Sequence, residues 1–230
     1  MVEARRSWRL LAAALLVALL GQGVLAHDIS EANRAAIEQL DGPHFIVFLY
    51  LGAKHMVTGI DHVLYLVGVV FFLYRLRDVV LYVSMFAIGH SISLIGGVLL
   101  GTGANPYIVD AIIGFSIVYK AFENLGGFAK LGITIDSRLA VFAFGLAHGL
   151  GLATKLMDLT VSRNGLLANL IGFNVGVEFG QVLVLVVVVF LLNLWRSAPS
   201  FEKGAFGANC VLFAAGLLLA GQQIAGYLAS

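Results

Sequence analysis

Six long apolar segments, at about 45–74, 78–100, 107–125, 138–157, 166–195 and 205–228, follow one another with only short polar connections. An apolar run near the ~20 residues needed to cross a bilayer reads as a membrane span. Backbone surrounded by lipid must satisfy its own hydrogen bonds, which leaves helices as the means of crossing for runs of this length. The expected fold class is therefore an all-α polytopic membrane protein, a bundle of about six transmembrane helices. Composition agrees: 60% of the 230 residues are hydrophobic and 12% charged, against roughly 45–50% and 25% in soluble domains. A chain of this size cannot bury so much apolar surface internally, so lipid must cover much of it. Soluble enzymes, nucleic-acid binders and disordered tails are excluded together. The 27 glycines suit helices that pack closely in a bilayer. With Cys210 as the single cysteine there is neither a disulfide framework nor a thiolate metal cage.

The N-terminus has a different character. Arg5, Arg6 and Arg9 precede an eleven-residue apolar run, Leu10 to Leu20, and Val24-Leu25-Ala26 supplies small residues where a signal peptidase reads. Residues 1–26 are expected to be a cleaved signal peptide, the alternative being a retained first helix, for which the run is short. Residues 27–44 would form a brief extracytoplasmic segment, containing the amphipathic stretch from Glu31 to Leu40, and 45–230 the transmembrane domain. The first and fifth apolar segments run 30 residues, about 45 Å as straight helices, so they must tilt, project or break. Gly59 offers a break in the first, giving a short helix that enters the membrane and then a true span.

Alternate connections carry Arg75 and Arg77, Lys130 and Arg138, and Arg196 and Lys203. The opposite set has no basic residue near Gly101 to Pro106 and only Lys155 and Arg163 in the next connection. The positive-inside rule places the richer set in the cytoplasm. Both termini then lie outside, as a cleaved signal peptide requires. A faint likeness links Phe86-Ala87-Ile88-Gly89-His90 to Phe142-Ala143-Phe144-Gly145 with His148, too weak to define a repeat.

Ionisable groups inside a bilayer cost about 2.5–3.5 kcal/mol each on insertion scales and usually sit there for function. The first segment holds His55, Asp61 and His62, and the second His90 with Ser91 and Ser93. Asp110, Lys120, Glu123 and Asn124 lie in the third, His148 in the fourth, and Asn174, Glu178 and Gln181 in the fifth. His55 and His62 are two turns apart, so on a continuous helix both imidazoles face one way. Asp61 could ligate a metal or hold the tautomer of an imidazole. Asn174, Glu178 and Gln181 share one face of their helix, and the tandem GxxxG of Gly172, Gly176 and Gly180 occupies roughly the opposite one. Bland readings stand beside these: His90 or His148 alone could bond a neighbouring carbonyl, and Lys120 and Glu123 could neutralise one another. His27 and His44 fall at the surface. Two imidazoles and a carboxylate within eight residues are harder to dismiss.

Residues 52–67, Gly-Ala-Lys-His-Met-Val-Thr-Gly-Ile-Asp-His-Val-Leu-Tyr-Leu-Val, resemble the H-x5-D-H signature of the HupE/UreJ family of hydrogenase- and urease-associated membrane proteins. The resemblance continues in order at Gly89-His90-Ser91, at Ser116 to Asn124, at Phe144 to Gly151 and at Phe173 to Gln181. It implies a bacterial inner-membrane protein that carries nickel, with His55, Asp61 and His62 at the metal site. The chain departs from the F-H-G-x-A-x-E pattern of the nickel-permease branch: Gly151 follows His148-Gly149, and Ala153 stands at the acidic position. Glu178, in the next segment, is the candidate for the missing carboxylate.

The leading expectation is a secondary transporter for a divalent transition metal. Imidazole and carboxylate ligands suit Ni²⁺, Co²⁺ or Zn²⁺, and the lack of a Cys or Met cluster argues against Cu(I). His55, Asp61 and His62 would replace water around the ion, with His90, His148 and Glu178 completing the site or passing the ion onward. No permanently bound cofactor is expected; the partners are the metal, the bilayer and metalloenzyme-maturation proteins. No Walker A motif is present. The alternatives are an intramembrane zinc-dependent hydrolase, which lacks both GxSxG and HExxH here, and a metal-binding accessory subunit that does not transport.

Overall fold

The computed structural model describes residues 40–157 and 164–230. The expected signal peptide, His27, most of the Glu31–Leu40 stretch and Arg163 lie outside the described residues. Those residues form eight helices: α1 (Phe45–Thr58), α2 (Ile60–Val70), α3 (Leu76–Leu100), α4 (Pro106–Asn124), the single turn α5 (Gly127–Lys130), α6 (Ser137–Met157), α7 (Leu166–Arg196) and α8 (Phe201–Ala229). Four of them, α3, α6, α7 and α8, are long and apolar enough to cross a membrane. The 19-residue α4 carries Asp110, Lys120 and Glu123 along its length. Large apolar side chains face outward, among them Phe179, Val182, Val186 and Phe190 on α7, an arrangement that suits lipid rather than water.

The first apolar segment breaks at Gly59, which leaves the helical region at φ −72° and ψ 97°. The part after the break differs from the expected span: α2 has 11 residues, about 16 Å of rise, too short to cross alone. Local caps define other ends. The Asn105 side chain accepts from the backbone N–H groups of Tyr107 and Ile108 at 3.0 and 3.3 Å, with Pro106 at the first helical position. Gly101 closes α3 at φ +64°, a conformation suited to glycine.

Three helix pairs make the closest approaches, and glycine permits each. On α7, methyl groups added at Gly172, Gly176 and Gly180 would strike the backbone carbonyls of Phe45, Leu49 and Ala53 of α1, and one added at Gly52 would strike that of Phe173. The tandem GxxxG is thus the seat of α1, which runs parallel to α7. Gly114 of α4 meets the backbone at Ala220 of α8, and Gly216 the backbone at Val118. Between α3 and α6, Gly89 lies against the Phe142 carbonyl and Gly145 against that of Phe86. The two faintly similar segments therefore pack on each other, phenylalanine backbone against glycine in both directions. Replacing Gly176 with Leu is expected to abolish assembly, since its side chain would enter the Leu49 carbonyl. Overpacking of a core costs typically about 1–3 kcal/mol even where side chains can shift, and here backbone blocks the way. Membrane accumulation and a thermal melt check this; normal levels with only metal affinity lost would contradict it.

The ends of the bundle are tied by polar contacts. Arg196, at the end of α7, donates to the carbonyls of Val70 and Phe71 at 2.7 Å each, satisfying carbonyls that α2 leaves at its end. Asn124 donates to the Gly68 carbonyl at 2.8 Å and to Asn209 Oδ1 at 2.9 Å. At the opposite end Asn169 Oδ1 accepts from the His44 N–H, and Ala104 N donates to Thr154 Oγ1 at 3.2 Å. Arg75, Arg77, Lys130, Arg138, Arg196 and Lys203 all belong to the first end. Lys155, read from the sequence as part of a connection, is instead in the last turn of α6.

Candidate metal centre

The break at Gly59 starts a new helix whose first turn carries Asp61 and His62, directed into the bundle and 1% and 2% exposed. His148, from the middle of α6 and 1% exposed, meets them there. One ligand atom from each of Asp61, His62 and His148 lies within 4.8 Å of the others. His62 Nδ1 approaches Asp61 Oδ2 at 2.9 Å, yet the pair lacks hydrogen-bond alignment, and His62 Nε2 has no hydrogen-bond partner among the described residues. Two imidazoles and a carboxylate this close and this well buried form a set whose atoms a single cation could bridge.

His148 is oriented from behind. Ser116 Oγ donates its proton to the Ile113 carbonyl at 2.6 Å and lies 3.2 Å from His148 Nε2. With that proton on the carbonyl, the hydroxyl can accept from Nε2–H, the tautomer in which Nδ1 keeps its lone pair. The rings of Tyr65 and Phe86, both fully buried, pack 5.3 and 5.1 Å from that of His148. Glycine also explains how the helices approach here: a methyl at Gly149 would strike the His90 carbonyl, and one at Gly59 would come within 3.1 Å of His62 Nδ1 and 3.3 Å of Asp61 Oδ1.

The other expected ligands are distributed around this centre. His55, in the last turn of α1, sets its ring edge-on to His62 at 5.0 Å. The two imidazoles meet across a break in the helix, not along one face of a continuous one. The His90 ring lies 6.2 Å from that of His62, and neither of its nitrogens has a hydrogen-bond partner among the described residues. Glu178 is half-buried on α7 and stands outside the set whose atoms converge. Its neighbours on that face serve other ties: Asn174 Oδ1 accepts from Ser91 Oγ at 3.2 Å, and Gln181 lies near the Val83 carbonyl. Ala153 is packed so tightly that a methyl on Gly97 would come within 2.8 Å of its own, which leaves no space there for a carboxylate.

The remaining buried charges are paired. Lys120 Nζ is 2.7 Å from Glu123 Oε2 and both meet Ser137 Oγ, as mutual neutralisation requires. Asp110 Oδ2 and Lys155 Nζ are 2.9 Å apart across α4 and α6. Ser116 and the Asp110–Lys155 pair were not singled out from sequence. Ser116 lies four residues before Lys120 and seven before Glu123, so a polar face of α4 was the available signal.

Outward apolar faces and a buried His/Asp cluster mark a helical membrane protein that holds ionisable groups inside its bundle. A family profile described as HupE / UreJ protein matches residues 31–230, and the chain belongs to the HupE/UreJ family. No curated protein and no solved structure gives a significant match.

Proposed function

We propose that the chain is a secondary transporter for a divalent transition metal, nickel foremost, with Co²⁺ and Zn²⁺ as the related cargoes. The observation that carries this reading is the convergence of Asp61, His62 and His148 at a buried point between α2 and α6. Two neutral imidazoles and one carboxylate are ligands of the borderline kind that such ions prefer. Asp61 supplies charge, His62 and His148 supply nitrogen, and His55 and His90 flank the centre as the next stations for an ion moving through. Glu178 takes a lesser part, as a half-buried carboxylate beside the route. The protein sits in a bacterial inner membrane, with the Arg75, Arg138 and Arg196 end in the cytoplasm, both termini outside, and residues 1–26 removed. Metal delivered inward would serve maturation of metalloenzymes, driven by the membrane potential or a proton gradient.

Uptake of radioactive Ni²⁺ into proteoliposomes, with Co²⁺ and Zn²⁺ as competitors, tests this. Accumulation should saturate and should fall as pH is lowered, because protons compete with the metal for the imidazole nitrogens. The sign follows from ligation: only neutral imidazole binds the ion, so protonation competes with metal and stability of the complex is gained as pH rises. A metal that remains bound at one per chain and never exchanges across the bilayer would instead indicate a catalytic or accessory centre.

A further inference from the structure

The seam between α4 and α6 carries three polar ties in series. Ser116 and His148 form the middle one, at the metal centre. Lys120 and Glu123 with Ser137 form one end, and Asp110 with Lys155 the other. Six residues separate Asp110 from Ser116 and seven separate His148 from Lys155, about 9–10 Å of helix in each case. Between His148 and Lys155, Gly151 presents no side chain to α4; a methyl there would come within 3.7 Å of Asp110 Oδ1 and against Val109 and Ile113. The carboxylate thus overhangs the turn of α6 that leads to His148.

The two partners are not equally placed. The Asp110 side chain is 8% exposed and that of Lys155 18%, and Lys155 is in the last turn of α6. A lysine at a helix end can swing its ammonium outward on its flexible stem, while a buried aspartate in the body of α4 cannot follow. Leaving Asp110 unpaired would expose a buried charge without compensation. A divalent cation arriving from that end relieves this directly, by replacing the ammonium.

Resting on the transport reading above, we propose that Asp110 is a transient cation site on the route to the metal centre, with Lys155 as its resident cation until the metal displaces it. In the orientation proposed here this pair lies on the extracytoplasmic side. Lys155 therefore competes with the cargo, and Asp110 receives it.

Initial Ni²⁺ uptake into proteoliposomes, metal bound per chain in detergent and thermal melts would be measured for wild type, Asp110→Asn, Lys155→Gln and the double variant. Lys155→Gln should keep uptake and lower its KM several-fold, because the competing ammonium is gone. Asp110→Asn and the double variant should lose about tenfold or more in uptake, as for residues outside the ligand set of the centre itself, with metal still bound at the centre. A purely structural pair makes the opposite forecast: the double variant, with no charge left unpaired, transports like wild type, and that result would overturn the proposal. Equal impairment by Lys155→Gln and Asp110→Asn would overturn it as well. Metal bound by wild type without any uptake would remove the transport reading and this one with it, whereas wild-type uptake with an indifferent Asp110 removes only this one.

Discussion

His148→Ala should lower metal accumulation as severely as His62→Ala or Asp61→Asn, although His148 lies 86 residues beyond His62 in the chain. The three residues offer ligand atoms within 4.8 Å of one another from two helices, all buried. Losing any one leaves a partly desolvated ion with no water to replace the ligand. The loss should exceed the ~10–100-fold typical of residues behind a ligand. Ser116→Ala provides that comparison, since it removes the hydroxyl that stands 3.2 Å from His148 Nε2 and should cost about 10–100-fold without removing a ligand. His44→Ala should leave uptake near wild type, because its ring bonds the Asp41 carbonyl at the end of the bundle, away from the centre. Glu178→Gln should fall well short of His62→Ala. Uptake by His148→Ala equal to wild type, at matched membrane levels, would remove α6 from the centre; a Glu178→Gln defect as deep as that of His62→Ala would move the missing carboxylate to α7.

The apolar runs made most helices legible, because a long apolar stretch has one low-energy form in lipid, and α3, α6 and α7 begin and end within about two residues of the expected limits. The seat of the tandem GxxxG was legible for a related reason: three glycines on one helical face leave a groove only another backbone can fill. The partner, α1, was not, since nothing local records which helix enters the groove. The centre was half legible. His55, Asp61 and His62 announce themselves by proximity in sequence, whereas the convergence of His148 on them depends on α3 and α6 crossing at Gly89, Gly145 and Gly149. Asp110 illustrates the limit from the other side. Its buried position could be read, but its partner Lys155, at the end of the apolar segment, was counted with the connection that follows, because nothing local records that the last turn of α6 faces α4.

Gly59→Ala should leave the protein folded and abolish most of its metal uptake. Two effects act in the same direction. Alanine favours helix over glycine by about 1 kcal/mol, so the substitution rewards continuing α1 into α2 and removing the bend at ψ 97°. The methyl itself would lie 2.9 Å from the His55 carbonyl oxygen, 3.1 Å from His62 Nδ1 and 3.3 Å from Asp61 Oδ1. Relief of those contacts comes from turning Asp61 and His62 away, and rejoining the helix would rotate them about its axis. Either response separates ligands that converge because the chain breaks where it does. A rearrangement of about 1 Å at a metal centre is enough to forfeit much of its function, so a loss of at least about tenfold in uptake is expected, with the chain still inserted and folded and its melting temperature lowered modestly by the contact with the His55 carbonyl. Gly96→Ala is the control: an added methyl meets nothing within 4 Å, so it should gain the same helical preference and transport normally. Wild-type uptake by Gly59→Ala would mean that the ligands do not depend on the break. A collapse of both variants would assign the effect to glycine content in general, because the two share only the change of residue and not the surroundings of the metal centre.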